Sequence, residues 1–126
     1  MRRHATALFA VLLVLAGHVM SAQFEVDSDL MRNIEDTTKS LDSNVSLKDA
    51  KSAAAEAKEL ATLFAQVEDF YARKGDATDA VGFSRKTHDL AEQVIKAVDA
   101  GDYDTASTTV IALARSCKSC HEVYKK

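Results

Sequence analysis

Cys117 and Cys120 are the only cysteines in the chain, and His121 follows the second directly, within the closing stretch ARSCKSCHEVYKK. Thiols at i and i+3 share one face of a helix, and Cys-Lys-Ser-Cys-His has the C-x-x-C-H pattern of covalent c-type haem attachment. Each thiol then forms a thioether with one haem vinyl group, which makes Cys117 and Cys120 the attachment points. The imidazole of His121 reaches the iron from the same side as the proximal axial ligand. The implied cofactor is one covalent haem c.

Three other chemistries use paired cysteines. A thioredoxin-like redox pair needs a βαβ setting and a helix N-terminus that stabilises the thiolate, whereas this pair falls near a helix C-terminus with no strand pattern nearby. Structural zinc takes four spaced ligands, and beyond residue 22 the only histidines are His88 and His121. A disulfide closing so short a loop would remove little entropy from the unfolded chain.

An all-α setting follows from composition. The chain has no proline, four glycines and much alanine, lysine, glutamate and leucine, in 126 residues that suffice for one modest core. A formal charge of −3 and a pI near 5.8 leave no basic footprint for nucleic acid. Residues 1–22 read as a cleaved Sec-type signal peptide: Arg2 and Arg3 precede an apolar run of eleven, Ala7 to Gly17, and Ser21-Ala22 offers small residues for cleavage. Cleavage after Ser21, with Val19 at −3, is an alternative to cleavage after Ala22, where Met20 fits less well. The apolar run is shorter than the ~20 residues of a membrane-spanning helix, so no stable insertion is expected after cleavage. Removing the segment leaves 14 basic against 19 acidic residues, a net −5. The domain proper is residues 23–126, acidic, exported and expected in a periplasm.

Four helices must then position the chemistry. The first is expected from Asp27-Ser28 to about Ser43, with Leu30 or Met31, Ile34, Thr38, Leu41 and Val45 on one stripe. Ser46 and Asp49 resemble a capping box opening the second, whose stripe runs Ala50, Ala53, Ala57, Leu60, Phe64, Val67, Tyr71 and whose end is Gly75. The third starts near Asp76 to Thr78, carries Phe83, Thr87, Leu90, Val94 and Ala97, and stops at Gly101. The fourth begins at Asp102 to Asp104 and continues through Ala106, Val110, Leu113, Cys117, Cys120 and Tyr124. Connections this short make sequential helices antiparallel neighbours, so the expected fold is an antiparallel up-down-up-down four-helix bundle with covalently attached haem.

With C-x-x-C-H in the last helix of such a bundle, the chain resembles the class II c-type cytochromes, the cytochrome c′ family. The specific part is CKSCHEVY; the layout extends over the whole chain beyond the signal. The resemblance implies that function depends on the sixth iron position. A first-helix methionine there gives a low-spin haem suited to electron transfer, and an open or apolar distal side gives high-spin iron that binds NO or CO. The segment DLMRN around Met31 is similar to the first helix of the Met-ligated branch. Geometry also separates the candidates. In antiparallel helices Met31 and His121 each lie roughly 6–8 Å from the same end of the bundle, whereas His88 lies about 15 Å from it. Met31 is the expected distal axial ligand; Leu30 facing the iron instead would leave it open, and a methionine on an amphipathic helix also serves as core. His88 is expected to be a partly exposed helix residue.

Around that end fall Phe70, Tyr71, Phe83 and Tyr124, with Phe24 and Val81, which would line a macrocycle or simply pack as core. Arg32, Arg73 and Arg85 are candidates for the haem propionates or for a solvated surface. Lys118, Lys125 and Lys126 either steer an acidic redox partner or complement the helix dipole. No nucleophile, carboxylate pair or cleft motif argues for an enzyme. The expected function is outer-sphere electron transfer with redox partner proteins, and a homodimer is a further expectation.

Overall fold

The computed structural model describes residues 23–124, with side chains through residue 123. The expected signal peptide (residues 1–22), Lys125, Lys126 and the side chain of Tyr124 therefore lie outside the described residues. Four helices follow one another: α1 (Ser28–Ser46), α2 (Ala50–Lys74), α3 (Thr78–Asp99) and α4 (Tyr103–Tyr124). No strand occurs among the described residues. No described helix is long and apolar enough to cross a membrane. Each helix packs on its sequence neighbour and α1 closes the ring against α4, as the four-helix bundle expected from the sequence requires. The α2–α3 seam is the most extensive and the α1–α4 seam the thinnest.

Local chemistry sets the helix ends. Asp27 caps α1 by accepting from the Leu30 amide at 2.8 Å. Asp49 caps α2, accepting from the Ser52 amide at 3.1 Å and the Ser52 hydroxyl at 2.8 Å. Asp102 does the same for Thr105 ahead of α4. The Ser46–Asp49 capping box expected from the sequence does not form: α1 runs on to Ser46, whose hydroxyl donates to the Asp42 carbonyl, and Asp49 is itself the cap. The extension beyond Ser43 ends in Lys48, a non-glycine residue at φ 55°, where the Lys48 amide donates to Val45 O and the Asp49 amide to Asn44 O. Gly101, at φ 69°, ends α3 with the equivalent pair of bonds to Val98 and Ala97.

The core follows the stripes read for α1, α2 and α4. Leu41, Leu60 and Leu113 have no exposed surface, and each contributes on the order of 1.5–3 kcal/mol of burial. On α3 the buried arc is Ala80, Ser84, Thr87, Ala91, Val94, Ala97 and Val98, while Phe83 and Leu90 are only half-buried beside it. Because α3 packs against both α2 and α4, small residues occupy its centre line and larger ones flank it. Ala50, at the first turn of α2, is exposed.

Candidate functional site

Met31 on α1 and Cys117, Cys120 and His121 on α4 line one cavity of about 830 Å³. That volume lies within the roughly 300–1,000 Å³ usual for ligand and cofactor sites. The thin α1–α4 seam forms two of its walls. Val26, Ile34, Phe64, Val67, Tyr71 and Phe83 supply an apolar lining from the segment ahead of α1 and from α1, α2 and α3. Met31, Cys117 and Cys120 are half-buried and His121 is exposed at the edge. An apolar hollow holding two thiols, an imidazole and a thioether suits a haem, whose macrocycle needs exclusion from water and whose iron accepts nitrogen and thioether sulfur.

The thiols are poor candidates for redox exchange. Burial, with Cys120 close by, pushes the Cys117 thiol up to about 11, and burial also raises Cys120. Both therefore stay protonated near neutral pH, the reverse of a redox-active pair. The two are not joined in a disulfide. No group of three or more His, Cys, Asp or Glu among the described residues is arranged to hold a metal ion.

Of the aromatic residues named from the sequence, Tyr71 and Phe83 line the cavity. Phe70 does not: it packs edge-on against Tyr71, ring centroids 5.2 Å apart, one position round the helix. Phe24 packs against the core beside α1, and Val81 is half-buried away from the lining. Arg32 lines the cavity and makes a loose 3.7 Å pair with Asp29. Arg73 and Arg85 lie elsewhere, held by Asp69 at 2.6 Å and Glu68 at 2.7 Å. His88 lines a separate open groove of about 640 Å³ between α2 and α3, with Nδ1 3.2 Å from Asp89.

Several lining residues carried no sequence signal strong enough to single them out as site residues. Lys39 reaches the cavity while bonded to Glu35 at 2.7 Å, and Thr38, Ser84 and Thr87 bring hydroxyls. Those hydroxyls bond to carbonyls four residues back, Ile34, Ala80 and Phe83, which lets them sit in a largely apolar wall. Glu35 and Lys39 fall four apart on the same helix edge as Met31 and Arg32, a spacing that marks the rim in retrospect.

Comparison with known proteins gives one family: a family model described as Cytochrome C′ matches residues 20–125. No curated protein and no solved structure matches the chain.

Proposed function

Because the chain belongs to the cytochrome c′ family, we propose that it is a periplasmic single-electron carrier whose iron is ligated by His121 and Met31. Membership itself means a covalently bound c-type haem, in a family of haem-binding electron-transfer and ligand-binding proteins that are generally non-enzymatic and typically periplasmic. The observation that carries the finer reading is that Met31 opens onto the same cavity as Cys117, Cys120 and His121.

When bound, the haem supplies one-electron exchange between Fe(II) and Fe(III). Cys117 and Cys120 would hold it covalently as thioethers. His121 on α4 and Met31 on α1 would supply the iron's nitrogen and thioether ligands. A thioether favours the ferrous state, so Met31 raises the potential. Ile34, Phe64, Val67 and Phe83 exclude water, which keeps the iron's surroundings similar in both oxidation states. Arg32, Lys39 and Lys118 stand on the lining with cationic heads suited to the propionates. A redox partner docks at the exposed edge by His121. Residues 1–22 direct export and are removed, leaving the domain at residues 23–126.

The optical spectrum of the purified holoprotein tests this. A low-spin oxidised form with a methionine–iron charge-transfer band toward the red, and no rapid CO binding on reduction, is expected. A high-spin spectrum with rapid CO binding would establish the gas-binding alternative instead.

A further inference from the structure

We infer that Thr87 and Ser116 are positioning residues for the haem-bearing turn of α4: their buried hydrogen bond sets the rotation of α4 against α3 and hence where the thiols face. The inference rests on the haem assignment proposed above. Thr87 Oγ1 bonds to Ser116 Oγ across the α3–α4 seam at 2.8 Å and to the Phe83 carbonyl at 2.7 Å. Thr87 is 1% exposed and Ser116 4%, so neither hydroxyl has water as an alternative partner. Other polar links described between helices, Ser40 and Asn44 with Glu56 and Arg85 with Glu68, lie at or near the surface.

Elsewhere this seam buries small apolar side chains such as Ala91, Val94, Ala106 and Val110. Contacts of that kind are non-directional and tolerate small axial turns of a helix. A hydroxyl pair does not: its distance must stay near 2.7–2.8 Å, and any rotation that parts it takes this partner from the buried Ser116 hydroxyl, while Thr87 keeps only its own-helix bond to the Phe83 carbonyl. Buried polar pairs specify register for this reason. Ser116 immediately precedes Cys117 and stands one turn before Cys120, so a turn of α4 that breaks the bond carries both sulfurs with it. Thr87 lines the same cavity as those sulfurs, which puts the lock beside the part it aligns.

The test uses holoproteins bearing Thr87→Val, Ser116→Ala, both together, and Thr87→Ser, which keeps the hydroxyl. The double variant removes both polar groups and is expected to unfold in urea close to wild type, since nothing is left unpaired. Its ferric electron paramagnetic resonance spectrum should nonetheless split into two haem environments, the minor one rising about fivefold over wild type, as loss of one net hydrogen bond implies. Its alkaline pyridine haemochromogen should show a fraction with an unreacted vinyl group, and Thr87→Ser should restore the single wild-type signature. A folded double variant with wild-type resonance and haemochromogen spectra overturns the inference. Should the double variant not fold, Ser116→Ala alone decides by the same two readouts, a mixed spectrum supporting the inference and a wild-type one overturning it. Failure of the haem assignment would register separately, as a wild-type protein whose haemochromogen lacks two saturated vinyl positions.

Discussion

Replacing Met31 by leucine separates ligation from packing. Met31 is half-buried, set against the core and open to the cavity. Leucine conserves its volume, and such swaps cost less than about 1.5 kcal/mol even when fully buried. Half-burial brings that below roughly 1 kcal/mol, a fall in Tm of no more than about 4–8 °C for a domain of this size. Leucine has no lone pair, however, so the sixth iron position loses its ligand entirely. The expected holoprotein melts near wild type, loses the charge-transfer band, turns high-spin, binds CO when reduced and has a lower potential. Met31→Ala should do the same spectroscopically while costing more, roughly 1–2.5 kcal/mol, half the range for a fully buried methionine. If Met31→Leu keeps the low-spin spectrum and only Met31→Ala disturbs it, the methionine is packing and the ligand assignment is wrong.

Lys48→Gly should stabilise the protein by about 0.5–1 kcal/mol, the left-handed penalty less the added freedom of glycine when unfolded, and raise Tm by several degrees in a circular dichroism melt; an unchanged or lower Tm would contradict the strain at φ 55°. The Ser52 amide and hydroxyl hold Asp49, and the Thr105 hydroxyl and amide hold Asp102, below the ordinary carboxylate range. Their stabilisation is whole above the unfolded carboxylate value and drains away as pH falls through the lowered folded values, so melts between about pH 5 and pH 2 should show a shallower loss in Asp49→Asn/Asp102→Asn than in wild type. An equal slope would mean the caps do not contribute. His88→Ala should leave the haem spectrum unchanged because His88 faces the α2–α3 groove; loss of a ligand signal would place it on the iron.

Much of this was legible because periodicity and chemistry coincide on the same helices. The strict three-four stripe of α2 named Ala53, Ala57, Leu60, Phe64 and Val67, all of which are buried. The C-x-x-C-H spacing and antiparallel arithmetic singled out Cys117, Cys120, His121 and Met31, which the fold brings to one cavity. Less was readable where two local rules compete. Ser46 and Asp49 satisfy a capping pattern, yet Asp49 can cap alone, and α1 gains three more residues of hydrogen bonding by running through Ser46. On α3 the stripe named Thr87, Val94 and Ala97, all buried, but put Phe83 and Leu90 where Ser84 and Ala91 lie, because close approach of neighbouring helices selects small residues there. Phe70 and Tyr71 are equally aromatic, and the stripe of α2, which includes Tyr71 and not Phe70, separates the one that lines the cavity from the one that does not. Ser84 gave no signal, since a side chain that bonds its own helix backbone resembles any solvated serine until burial is known, whereas Thr87 was marked only by its place on the stripe.

The unequal seams of the bundle have a dynamic consequence. Helix α1 touches its neighbours least, so the protein alone grips it more weakly than the α2–α3–α4 remainder. Local opening begins where such contacts are sparse, and amide exchange should be quickest along Ser28–Ser46. Met31 rides on that loosest member, whereas both cysteines sit on a well-anchored one. On the proposed ligation, any excursion of α1 would withdraw the Met31 thioether while His121 on α4 stays put, giving the two sides of the iron unequal lifetimes.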